Sequence, residues 1–238
     1  MATLTNAVTT TPDTSNTATY VSAAHTPVAG DLMFYLFIAT ATATATPALL
    51  ASAGEGGTYA LLTTALKNAS VDRIYAFIAN QFSTAVSRTM QIDLGADPAT
   101  SCIIFSIRVA GLSRTGVSAV RQFKVISNQA GGAAPNISFD AACLTGNPTL
   151  GVIANATNPC GVAPPTNWSE ILDTGNANPT TGGEYVTRNS GFTGTQMLWT
   201  ANSATNFGGI IVEFDASAKS RMPYRDTRPQ FFPRKRAN

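Results

Sequence analysis

Apolar and polar residues alternate strictly along several short stretches of this chain, and no stretch sustains a helical period. In 103–109 (IIFSIRV), Ile103, Phe105, Ile107 and Val109 share one face, while Ser106 and Arg108 take the other. Phe123 and Val125 oppose Gln122 and Lys124 in 121–125. Ile210, Val212 and Phe214 oppose Glu213 and Asp215 in 209–215. A period of two is the signature of half-buried β-strands in a two-layer sandwich. Further candidate strands are 31–39, 58–66, 73–80, 88–94, 150–155, 184–188 and 195–200. Gly, Pro, Asn and Asp clusters at 54–57, 95–98, 131–135, 146–148, 158–165 and 175–183 punctuate them. Helix signals are weak: 59–70, with Leu61, Leu62, Ala65 and Leu66, also fits one short helix. The expected fold is all-β, an antiparallel, jelly-roll-like β-sandwich.

The halves run in parallel. The stretch 30–40 matches 146–157, 72–75 matches 183–185, and 103–108 matches 210–215, in the same order. An internal duplication, with half-repeats near 20–116 and 117–218, is one reading; chance alignment of two β-rich halves is the other. No linker separates the halves, so both are expected to complete one body, 1–218.

Charge is scarce: 12% of the 238 residues are charged, against roughly 25% in an ordinary soluble domain. With 44% hydrophobic residues this is not a solvated disordered polymer, and Glu and Lys are too few for a coiled coil. The net charge of +2 hides a split. Residues 219–238 hold seven bases (Lys219, Arg221, Arg225, Arg228, Arg234, Lys235, Arg236) and one acid, Asp226. The preceding 218 residues hold eight bases and twelve acids, a net of −4. A mildly acidic body thus carries a basic tail.

That tail also carries Pro223, Pro229 and Pro233, which forbid helix and central strand, and it interleaves its arginines with Tyr224, Phe231 and Phe232. Aromatics with arginine are what interface cores favour. Arg221, Tyr224, Arg225, Arg228, Phe231, Phe232, Arg234, Lys235 and Arg236 are therefore the candidate partner-binding residues, on another copy of the chain or an underlying shell. Binding to nucleic-acid phosphates is the weaker alternative for the same arginines, and a merely solubilising tail is the third.

The start of the chain lacks the basic and apolar regions of a secretory signal. The longest apolar run, 32–39, falls short of the ~20 residues of a membrane span. No membrane association is expected, and the four Asn-x-Ser/Thr triplets, at Asn68, Asn136, Asn155 and Asn167, are read as chance. Cys102, Cys143 and Cys160 form no CxxC pair. Free thiols are expected, with Cys102 a buried strand residue and a Cys143–Cys160 disulfide the alternative.

Little chemistry is legible. His25 is the sole histidine and is expected at the surface in a loop. No nucleophile elbow, phosphate loop or zinc spacing accompanies it. Glu213 and Asp215, two apart on one strand face, are spaced like a pair of glycosidase carboxylates, but lie opposite the apolar face and are expected to point to solvent, or else to a neighbour subunit. Asp93, Asp97 and Asp140 lack calcium-loop spacing. The alternating Thr/Ala run 39–46 is expected as a strand end or exposed loop rather than a ligand-binding array. Trp199 is expected in the core; Trp168, in a Pro-rich loop, is expected to cap the sandwich or to contact a partner. The chain is therefore expected not to be an enzyme and to need no cofactor.

In style, over its full length and without a diagnostic motif, the chain resembles small β-sandwich and jelly-roll structural proteins of viruses, notably decoration and minor capsid proteins of tailed phages. The carriers are the Ala/Thr/Asn/Gly-rich, charge-poor body, the Met-Ala-Thr-Leu-Thr start and the terminal arm. The resemblance implies a virion protein, made in a host cytoplasm and displayed in many copies. Alternatives are a single-jelly-roll capsid subunit whose basic arm contacts the genome, and a receptor- or carbohydrate-binding sandwich with Trp168 exposed.

Overall fold

The computed structural model describes residues 1–51, 59–68, 72–79 and 85–217. The described chain is nearly all antiparallel β-structure, with a single 3-10 turn at Gly116–Ala119. The first half supplies β1 (Thr3–Asp13), β2 (Thr19–Val21), β3 (Leu32–Thr40), β4 (Ala48–Ala51), β5 (Tyr59–Asn68), β6 (Asp72–Ala79), β7 (Met90–Asp93) and β8 (Ser101–Ala110). The second supplies β9 (Val120–Gln129), β10 (Asn136–Ser138), β11 (Thr149–Asn155), β12 (Ser169–Ala177), β13 (Thr180–Arg188), β14 (Gln196–Leu198) and β15 (Phe207–Phe214). The stretch that also fitted a helix is β5, because its backbone finds a partner in β6.

Each half builds one large and one small sheet. The large sheets run β1-β8-β3-β6-β5 and β12-β13-β11-β15-β9; the small ones run β2-β7-β4 and β10-β14. When β1, β3, β5, β6 and β8 are matched to β9, β11, β12, β13 and β15, the two large sheets have the same strand order. The matched pairs β2/β10 and β7/β14 likewise neighbour each other in the small sheets, where only β4 lacks a counterpart. The stretches that run parallel in sequence fall on β3/β11, β6/β13 and β8/β15, the central strands.

Three hydrophobic clusters define four layers. The central cluster joins the large sheets: Phe34, Leu36, Ile38, Phe105 and Ile107 pack toward Val152, Tyr185, Ile210 and Val212. Phe105 and Tyr185 meet across it with ring centroids 5.0 Å apart. A second cluster lies between the first large sheet and its small sheet, where Tyr35, Phe37, Tyr75 and Ile104 meet Tyr20, Leu49 and Ile92. The third lies inside the second half, around Ile153, Val186, Ile211, Met197 and Trp199. The large sheets are therefore covered on both faces, which is why β3 reads as an unbroken apolar run and is buried throughout. This corrects the expectation of a two-layer sandwich with a solvated second face. Ser106, opposite Phe105 in the alternation, is buried beneath the small sheet.

Register irregularities concentrate at the four outer strands of the large sheets. The ladders of β1, β5, β9 and β12 all carry shifts, whereas β3–β6, β3–β8, β11–β13 and β11–β15 run without one. Bulges bend and twist an edge so that it templates poorly for strand addition.

Candidate functional site

The partner-binding candidates Arg221 to Arg236 lie outside the described residues; what is described is the place from which they depart. β15 continues past Phe214 into a pinned exit. The Phe214 N–H donates to the Pro148 carbonyl (2.9 Å) and the Asp215 N–H to the Ala119 carbonyl (2.8 Å). The Ala216 N–H donates to Asn147 Oδ1 (3.0 Å) and the Ser217 N–H to Asp215 Oδ1 (2.9 Å). Ala216 and Ser217 line a cleft of about 450 Å3, together with Met1, Ala2, Gly111, Leu144, Gly146 and Asn147.

Beneath this exit sits Glu213, buried where sequence reasoning placed it in solvent. Its Oε1 accepts from the Leu144 N–H (2.8 Å) and Asn147 Nδ2 (2.7 Å), and its Oε2 from Arg121 Nη1 (2.5 Å) and Gln122 Nε2 (2.6 Å). Burial alone would raise its pKa, but these donors together outweigh that cost and hold it below the usual glutamate value. A carboxylate saturated by four donors is a structural brace rather than a free acid or nucleophile. Asp215 lies apart from it in an ion pair with Arg114 (3.1 Å). The glycosidase-like spacing therefore does not produce two carboxylates facing one open space.

His25 is also buried, not on the surface as expected. Its backbone exchanges both hydrogen bonds with Arg88 (2.9 Å each). Its Nε2 lies 3.0 Å from the Tyr35 hydroxyl and its Nδ1 3.3 Å from the Ala23 carbonyl. Burial lowers its pKa. The ring is thus held neutral between two structural partners.

The remaining candidates are engaged structurally as well. Asp93 Oδ1 accepts from the Gly95 N–H (2.8 Å), Asp140 pairs with Lys124 (2.7 Å), and the Asp97 carbonyl accepts from Thr42 Oγ1 (2.8 Å). Among the described residues no three His, Cys, Asp or Glu side chains are grouped to hold a metal ion. Thr44 Oγ1 donates to the Leu94 carbonyl (2.6 Å), so Thr42 and Thr44 bond to neighbouring loops instead of forming a flat array. Cys102, Cys143 and Cys160 are free and buried. Burial raises all three thiols, Cys143 to about 12. Trp199 lies in the core, and so does Trp168, whose ring packs 5.3 Å from Phe192. Trp168 is thus not the exposed contact residue that a loop position allowed.

Among the buried charged residues that sequence reasoning missed are Lys67 and Glu184. One signal was present for each: strict alternation puts Lys67 on the face of Ala65, and Glu184 on the face of Val186. Among the described residues no helix is long and apolar enough to cross a membrane. No protein-family model matches the chain, and no curated protein matches it.

Proposed function

We propose that this chain is a structural protein of a viral particle, decorating or stabilising a protein shell by packing against other subunits and docking its arm, 219–238, on a neighbour. The observation that carries this reading is the winding. The strand orders β1-β8-β3-β6-β5 and β2-β7-β4 in the first half, repeated as β9-β15-β11-β13-β12 and β10-β14 in the second, resemble a jelly roll except that β5 extends the large sheet beside β6 instead of joining β4. Viral shells use that winding repeatedly, so the warrant is analogy of fold. The burial pattern is consistent with it: polar groups such as Glu213 and His25 are spent on internal braces. Lectin domains share the winding, but a sugar platform would need an exposed tryptophan, and both are buried here.

In this reading Arg221, Arg225, Arg228, Arg234, Lys235 and Arg236 pair with the acidic body of a neighbour or with the shell, and Tyr224, Phe231 and Phe232 fill apolar pockets. The test compares the full chain with a chain ended after Ala218, using sedimentation velocity and electron microscopy, with circular dichroism as the check on folding. The full chain is expected to form higher assemblies or to bind particles, and the shortened chain to stay folded and dispersed. Equal assembly by both chains would sink the arm's role. A full chain that remains monomeric and binds no particle would sink the shell function.

A further inference from the structure

The cleft at the chain's exit has the size of a small-ligand pocket, ~300–1,000 Å3, at about 450 Å3. Its polar floor is already satisfied: Asn147 Nδ2 donates to Glu213 (2.7 Å), and Asn147 Oδ1 accepts from the Ala216 N–H (3.0 Å). A guest would therefore gain from apolar contact. The rim offers it, since Met1 is 92% exposed and Leu144 48%. Ser217, the last described residue, lines the same cleft, and the 21 residues that follow it include Phe231 and Phe232.

We propose that Phe231 and Phe232 of a second copy occupy this cleft, a placement that rests on the arm-docking function above and names its receptor. The dimensions favour exchange between copies. Fourteen residue steps separate Ser217 from Phe231, which in an extended polyproline II chain span ~43 Å at ~3.1 Å each. A compact body of about 217 residues has a radius of gyration near 17 Å, hence a width of about 44 Å. Because the arm begins at the cleft, the distance to the same cleft of a like-oriented neighbour is about one body width. A segment of that reach spans it, which is what exchange between copies requires. The body's net −4 and the arm's excess of bases add attraction between copies. The contact is head-to-tail, the type that closes into rings or extends into lattices.

The test uses the full chain. A photo-crosslinking benzoylphenylalanine replaces Phe232 in a mixture of isotope-labelled and unlabelled copies, and mass spectrometry maps the products. Crosslinks from one copy to residues 144–147 or 1–2 of another are expected. Crosslinks within one copy, or to another surface, overturn the proposal. Gly146→Leu supplies the second measurement. A β-carbon at Gly146 meets nothing within 4 Å, so leucine fills the cleft rather than the core; self-association should weaken about tenfold or more, as on loss of an aromatic anchor. If Gly146→Leu alters the thermal midpoint, Leu144→Asp on the exposed rim takes its place. If Phe231→Ala/Phe232→Ala abolishes assembly and the cleft variant does not, the cleft is wrong and the arm-docking function stands. If the unmodified chain never associates, both fail.

Discussion

Lys67 Nζ stands 2.6 Å from Thr181 Oγ1, a bond from β5 of the first half to β13 of the second. Thr181 Oγ1 lies 2.7 Å from Thr40 Oγ1, and Lys67 pairs with Asp72 at 3.5 Å. The lysine is wholly buried; burial lowers its pKa, and Asp72 opposes that shift. Taking away one partner of a buried pair strands the other, so Lys67→Ala is expected to lose about 3–5 kcal/mol of stability. Asp72 Oδ1 also accepts from the Ala41 N–H (2.9 Å), a role asparagine can keep. The double variant Lys67→Met/Asp72→Asn should therefore recover most of the loss in urea unfolding. A double variant as unstable as Lys67→Ala would place the cost in packing instead of the stranded charge.

Close approach of the halves makes two glycines unequal. A β-carbon on Gly183 would lie 2.2 Å from Ile38 Cδ1, and one on Gly208 would lie 2.1 Å from the Leu66 carbonyl oxygen. The first clash meets the end of a side chain, the second the backbone of β5. Gly183→Ala should cost about 1–3 kcal/mol by overpacking, and Gly208→Ala should cost more, because a paired strand must move. Gly146→Ala, facing open space, is the control and should leave the thermal midpoint unchanged. A midpoint for Gly208→Ala above that of Gly183→Ala would contradict this ordering.

What was legible in the sequence follows from what alternation reports. It marks which residues share a face, so β8, β15 and the central strands were found, and the stretches matched between the halves fall on equivalent strands. It does not report what lies above the second face. Glu213 was placed in solvent because its donors, Arg121, Gln122, Leu144 and Asn147, are 66 to 92 residues away and carry no local mark. His25 was misplaced likewise, since its cover comes from β3 through Tyr35. β1 escaped notice because an edge strand of threonines and asparagine needs no apolar stripe. β12 was missed because Gly175 and Asn176 read as the start of a turn, although they pair with β13.

The Glu213 brace yields a prediction of its own. Glu213→Ala removes both acceptor oxygens from four donors and leaves Arg121 without its carboxylate. A loss of about 3–5 kcal/mol is expected. Glu213→Gln should fall between, since an amide oxygen keeps some bonds while its NH2 faces donors. Because the folded pKa lies below the unfolded one, this group's stabilisation is present above the unfolded value of 4.5 and is lost as pH falls through the folded value. The differences in thermal midpoint between the three chains should therefore narrow as pH falls below 4.5, and a gap that widens on acidification would count against the brace.

Glu184 gives the opposite slope. Its Oε1 accepts from Trp199 Nε1 (3.0 Å), while its Oε2 has no hydrogen-bond partner among the described residues. Burial is the main cause that raises its pKa, from 4.5 to about 8, and Glu170 and Asp173 add to it. Between those two values the native protein holds a proton that the unfolded chain has released. Stability from this group is thus fully present below pH 4.5, declines by at most about 1.4 kcal/mol per pH unit, and is lost above about 8. Glu184→Gln keeps the acceptor for Trp199 and removes the titration. His25, whose pKa burial lowers, works in the reverse sense below about 6.5, but equally in both chains, so it cancels in their difference. The measurement is the urea midpoint of wild type and Glu184→Gln in steps from about pH 5 to about pH 8. The variant's advantage should grow with pH across that range; two parallel curves would mean that Glu184 is already ionised in the folded protein.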